Sequence, residues 1–132
     1  MFRKTVICIP AYNPPSSLPS YANELFNSGW DNIIIVDDGS LPENQQIFKQ
    51  LEEYPFCHVL HHPNNMGKGC AIKTAMEYYI KNYQNRYMGF ITVDADGQHS
   101  ITDVIHMDDF FQKQITSSNI SSFLSSGTPQ SL

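Results

Sequence analysis

Apolar positions along the chain follow two alternating rhythms. Four short β-rich runs stand out: TVICI (5–9), NIIIV (32–36), HVL (58–60) and FITV (90–93). Between them, apolar residues recur every three or four positions, the spacing of a helix with one buried face. Leu18, Tyr21, Ala22, Leu25 and Phe26 form the first such stripe, with Gly29 as a stop signal behind it. The second helix opens on SLPE, where Ser40 is expected to cap, Pro42 suits the first turn and Glu43 stands three residues after the serine. Its apolar side is Ile47, Phe48 and Leu51. Ile72, Ala75, Met76, Tyr79 and Ile80 mark the third. SITD (100–103) predicts a further cap, followed by a helix with Val104, Met107 and Phe111 inward.

Strand and helix thus alternate with a repeat of roughly 30 residues, the length of a βαβ unit. The first, second and fourth strands are continuous apolar runs, which suits a parallel sheet covered on both faces. The fold class is α/β. The division expected is a folded part over 1–113 and a Ser-rich tail over 114–132. That tail, QITSSNISSFLSSGTPQSL, has no charged residue and too few apolar ones to bury much area, so poor order is expected.

Composition narrows the partners. The 132 residues suffice for one domain, and 41% hydrophobic with 16% charged residues fits a globular chain. The net charge is −5, from 8 Lys and Arg against 13 Asp and Glu, with no basic stripe, so nucleic acid is not expected as a partner. Three cysteines, Cys8, Cys57 and Cys70, without framework spacing point to reduced thiols in a cytosolic compartment. No run approaches the roughly 20 apolar residues of a membrane span, so the chain is expected to be soluble, or peripheral at most.

Ligands of open α/β sheets sit at the carboxyl ends of the strands. Three of those ends are unusual here: PAYN (10–13), DDGS (37–40) and DADGQ (94–98). Asp94 and Asp96 are two residues apart, so on an extended backbone their carboxylates point the same way. Two converging carboxylates suit a hard divalent ion, with Gln98 able to add a carbonyl oxygen. Mg²⁺ or Mn²⁺ uses one or two carboxylates and fills its shell from phosphate and water, so a phosphate-bearing ligand is implied. The competing role for the two acids is to cap the next helix or shape a turn at Gly97. Asp37 and Asp38 can accept hydrogen bonds from a ribose or a base, or build a plain Asp-Gly-Ser turn. In NNMGKGCAIKTA (64–75), Gly67 and Gly69 flank Lys68 ahead of a helix, a place where anions are attracted. It is not a P-loop, since position 62 is His. His58, His61, His62 and His99 lack zinc-site spacing.

Together, VICIPAYNP, IIIVDDGS, NNMGKGCAIKTA and TVDADGQHS resemble, in order and spacing, the family 2 glycosyltransferases, and most of all their dolichol-phosphate mannosyltransferase branch. The resemblance covers residues 4 to about 109. It implies the N-terminal, donor-binding half of a GT-A fold, a Rossmann-like layer that takes a nucleotide-diphosphate sugar with Mg²⁺ or Mn²⁺. By position, Pro10, Ala11, Tyr12 and Asn13 would line the nucleoside pocket. Asp38 would bind the base and Asp37 support its turn. Asp94 and Asp96 form the Asp-x-Asp motif, with Asp94, Asp96 and Gln98 as metal residues. Lys68 would lie near the donor phosphates. The implied reaction is an inverting displacement onto an acceptor such as polyprenyl or dolichyl phosphate at the cytoplasmic membrane face. The family's domain continues for about as long again, and no catalytic residue of the acceptor side is matched. The expectation is a truncated glycosyltransferase, or a non-catalytic remnant that binds nucleotide.

Overall fold

The computed structural model describes residues 2–117. Its elements alternate as the sequence predicts: β1 (Thr5–Ala11), α1 (Leu18–Asn27), β2 (Ile33–Asp37), a short 3₁₀ turn (Pro42–Asn44), α2 (Gln45–Glu52), β3 (Cys57–His61), α3 (Lys68–Asn82), β4 (Gly89–Thr92) and α4 (Ile101–Ser117). The four strands form one parallel sheet in the order β3-β2-β1-β4. β1 and β2 are buried along their whole length, which explains their unbroken apolar runs.

Alternation of side chains divides the core between the two faces. Ile7, Ile9, Ile33 and Ile35 pack with Leu18, Leu25, Phe48, Leu51 and Val104, so α1, α2 and α4 share one face. Val6, Cys8, Ile34 and Val36 pack with Ala71, Ala75 and Tyr79 of α3 on the other. Right-handed crossovers require this split. The connections β1 to β2 to β3 run one way across the sheet, and β3 to β4 runs back past β1, so its helix must lie opposite.

Three local expectations are corrected. Ser40 caps no helix. Its Oγ instead accepts the backbone N–H of Asn13 at 2.8 Å, and the chain enters α2 through the 3₁₀ turn. The inward stripe of α3 is Ala71, Ala75 and Tyr79, while Ile80 is half exposed. The two alanines let α3 approach the sheet closely, and this rotates Ile80 outward. Finally, β4 ends at Thr92, and Ala95 and Asp96 lie in a turn, so strand alternation does not align Asp94 with Asp96. The expected cap on α4 is realised: Ser100 Oγ accepts the Asp103 N–H at 3.0 Å, and Asp103 accepts the Ser100 N–H at 3.4 Å. Residues 114–117 of the Ser-rich segment continue α4, and the remainder lies outside the described residues.

At the amino end of the sheet, a buried network ties α4 to β1. Asp108, with no exposed surface, accepts from Thr5 Oγ1 (2.7 Å), Arg3 Nη1 (2.7 Å) and Gln112 Nε2 (2.8 Å). Thr5 in turn accepts the indole N–H of Trp30 at 3.0 Å. Asp108→Ala would leave the Thr5 hydroxyl without its acceptor and Arg3 without its buried partner. We expect a loss of about 2–4 kcal/mol in urea denaturation. Asp109→Ala removes only the exposed second contact of Arg3 at 3.0 Å and should change stability by less than about 1 kcal/mol.

Candidate functional site

The strand order reverses at β1, and in open α/β sheets the crevice at such a reversal receives the ligand. Here the ends of β1 and β4 flank a cleft of about 420 Å³. Pro10, Ala11, Tyr12 and Asn13 line it from β1, Asp38 from the end of β2, Lys68 from α3, and Asp94 and Asp96 from the turn after β4. Every residue expected to touch a donor or metal lines this cleft except Asp37, which is buried, and Gln98, which is exposed. Pro10 pairs with Val36 on its β2 side, beyond the last β1–β4 pair, Cys8 with Thr92, so its missing N–H breaks no bond between β1 and β4.

The end of β1 is fixed by Asn13. Its φ of 46° is left-handed, a conformation that asparagine tolerates better than most residues. Asn13 Oδ1 accepts the Leu41 N–H (2.9 Å) and Asn44 Nδ2 (3.1 Å), which joins the PAYN and DDGS turns into one unit.

The two aspartates of DDGS differ in role. Asp37 is buried and accepts from the Ser40 N–H (2.8 Å), Gln45 Nε2 (3.0 Å) and His61 Nδ1 (2.8 Å). Burial alone would raise its pKa. The hydrogen bonds from Ser40, Gln45 and His61 outweigh that and hold it below the usual carboxylate value. Asp37 therefore builds the turn. Asp38, also buried, reaches across to the Gly-Lys-Gly loop. Its Oδ1 accepts from His62 Nδ1 (2.8 Å) and the Met66 N–H (2.9 Å), and its Oδ2 from the Gly67 N–H (2.9 Å). These bonds again overcome burial and keep the carboxylate ionised, its pKa lowered. A carboxylate offers about four acceptor positions. Three are used, and the remaining one is on the oxygen that holds Gly67.

Across the cleft, Lys68 Nζ meets Asp94 Oδ1 at 2.7 Å, and that hydrogen bond is the main reason the Asp94 pKa is lowered. His99 Nε2 stands 3.7 Å from the other oxygen. Asp96 is exposed, and its Oδ1 accepts the Gln98 N–H at 3.0 Å. Among the described residues, no three His, Cys, Asp or Glu side chains gather as a metal-holding group. Two carboxylates at a cleft still fit Mg²⁺ or Mn²⁺ when phosphate completes the shell.

Sequence reasoning weighed His61 and His62 only as zinc ligands and did not foresee their pairing with the aspartates. Their signal is the parallel register, which sets Asp37 beside His61. Two acids after β2 and two histidines after β3 therefore meet as pairs. It also passed over Asn65, which lines the cleft from the same loop as Lys68. The three cysteines are free thiols. Cys8 and Cys57 are buried, which pushes each pKa up to about 12, so they behave as small core residues. Among the described residues no helix is long and apolar enough to cross a membrane.

Residues 6–127 match the family model described as Glycosyl transferase family 2. A UDP-N-acetylglucosamine–dolichyl-phosphate N-acetylglucosaminyltransferase of Methanococcus voltae is 35% identical, over 74% of this chain and 43% of its own. The dolichyl-phosphate beta-glucosyltransferase ALG5A of Trichomonas vaginalis is 31% identical, over 74% of this chain and 32% of its own. An uncharacterized protein of Methanocaldococcus jannaschii is 33% identical, over 74% and 37%. The chain thus spans less than half the length of each.

Proposed function

Because the chain belongs to glycosyl transferase family 2, with the parallel sheet and flanking helices of the GT-A fold, we propose that its cleft holds the nucleotide-diphosphate sugar of a glycosyl transfer. The observation that carries this reading is the convergence of three strand ends and Lys68 on one cleft. Tyr12, 47% exposed, offers a ring face to the base, and the spare Oδ2 position of Asp38 can accept a base N–H. Lys68 and the start of α3 face the diphosphate. Asp94 and Asp96 would hold Mg²⁺ or Mn²⁺, which would neutralise charge growing on the diphosphate as the glycosidic bond breaks. The residues themselves fix the donor so that its anomeric carbon is open to in-line attack, with inversion.

For the acceptor we propose a polyprenyl phosphate such as dolichyl phosphate, on the strength of the relatives' names. Its phosphate oxygen is already anionic and needs no general base. Such a lipid would place the protein at the periphery of the cytoplasmic membrane face. A second reading, nucleotide binding without transfer, is favoured by the cleft itself: its charged lining residues, Asp38, Lys68, Asp94 and Asp96, all have donor-side roles.

Calorimetry with UDP and GDP, with and without Mn²⁺, tests the donor site. Mn²⁺-dependent binding of one of them is expected, and no binding of either would remove the reading. Transfer from UDP- and GDP-sugars to dolichyl phosphate then separates the two readings.

A further inference from the structure

The His62 imidazole is only 9% exposed and has both nitrogens engaged. Nδ1 meets Asp38 Oδ1 at 2.8 Å and Nε2 meets Thr74 Oγ1 at 2.8 Å. Its backbone N–H is also held, by the Asp37 carbonyl at 2.8 Å. The ring therefore spans from the end of β2 to the second turn of α3. Asp38 completes the frame by taking the Met66 and Gly67 N–H groups, directly before Lys68.

The sequence carboxylate, imidazole, hydroxyl has the order of a nucleophile-activating triad. Its position argues against that use. Asp38 lines the cleft and Thr74 does not, so the chain of bonds runs from the cleft into the α3 packing. The hydroxyl is an anchor. Given the donor site proposed above, we propose that His62 is a positioning residue: it sets the start of α3, and with it Gly67 and Lys68, at the distance from the strand ends that a donor diphosphate requires. Among the described residues, no other side-chain hydrogen bond links Asp38 to the body of α3.

The role is specific to one part of the ligand. Base and ribose would meet Tyr12 and Asn13 at the end of β1, and Asp38, whose backbone stays held by the Ala11 carbonyl at 2.8 Å although its carboxylate loses one donor with the His62 ring. The diphosphate would meet Lys68 and the first N–H groups of α3, whose place the ring sets.

The test compares the 132-residue wild type, His62→Ala and Thr74→Val, each with diamagnetic Mg²⁺, by NMR titration with UDP, GDP, uridine and guanosine. Temperature is kept well below each protein's melting midpoint. For His62→Ala, diphosphate affinity is expected to fall on the order of tenfold or more, and nucleoside affinity by clearly less, since Asp38 loses one of its three donors. For Thr74→Val, which keeps the shape of the side chain and removes only the anchor, the expected selective fall is roughly three- to tenfold. Amide exchange at Met66 and Gly67 should quicken in both. Equal loss for nucleoside and diphosphate, or no loss in either variant, would overturn the positioning role while wild-type binding stands. Failure of the wild type to bind any of the four would instead overturn the donor site, and this role with it.

Discussion

Asp96→Ala is expected to abolish Mn²⁺-dependent nucleoside diphosphate binding, a fall of at least about 100-fold, since even groups that only support a metal ligand are worth 10–100-fold. Asp96 is the carboxylate best placed for a cation. It lines the cleft, is exposed, and carries a single local bond from the Gln98 N–H to Oδ1. Asp94, by contrast, shares one oxygen with Lys68 at 2.7 Å. Asp96 also shapes its turn through that Gln98 bond, so a loss in the alanine variant has two readings. Asp96→Asn separates them. It keeps an oxygen for the Gln98 N–H and removes the charge. Calorimetry should find the same loss with Asn as with Ala, and Mn²⁺ titrated alone should bind both variants more weakly than wild type. Wild-type affinity in Asp96→Asn would remove the metal role and leave the residue a turn former. The urea midpoint of each variant should stay within about 1 kcal/mol of wild type, because the side chain is exposed.

Much of this site was readable because it rests on local rules. Apolar runs at β1 and β2 gave buried parallel strands, parallel strands gave one shared edge, and the polar residues after each strand then had to lie on that edge. What escaped the sequence depends on distant partners. Asp108 occupies a helix position like any solvated acid, yet it is buried because Arg3 and Thr5 of β1 meet it from more than 100 residues away. Ser40 stands where a cap belongs, but the left-handed turn at Asn13 brings a backbone N–H to it first. Hydropathy favours Ile80 for the inside of α3. The sheet face chose Ala71, Ala75 and Tyr79, because close approach to Val6, Cys8, Ile34 and Val36 needs small residues. Asp38 was legible as a cleft residue. That it holds the Gly-Lys-Gly loop through the Met66 and Gly67 N–H groups was not, because loop conformation carries no periodicity.

Gly39→Ala is expected to break this same junction. Gly39 has φ of 74°, and a Cβ there would stand 2.2 Å from Asn64 C, 2.4 Å from Asn65 N and 2.6 Å from Asn64 Cα. All three are backbone atoms, so no side chain can swing aside. The left-handed conformation costs alanine about 1 kcal/mol, and displacing a packed backbone adds roughly 1–3 kcal/mol. A destabilisation of about 2–4 kcal/mol should appear in urea denaturation. The chain can also yield locally, by lifting residues 64–65 off the turn. That movement would pull Met66 and Gly67 from Asp38, so amide exchange at both should accelerate and diphosphate binding should fall even in protein that stays folded. Two further variants assign the cause. Gly39→Asn accepts the left-handed φ but not the contact, and should lose nearly as much as alanine. Gly67→Ala has an unfavourable φ of 100° but nothing within 4 Å of its added Cβ, and should cost only the conformational part, about 1–3 kcal/mol, with no displacement of residues 64–65. If Gly39→Asn were as stable as wild type, close packing of the 64–65 backbone against the DDGS turn would be ruled out as the reason for a glycine at this position.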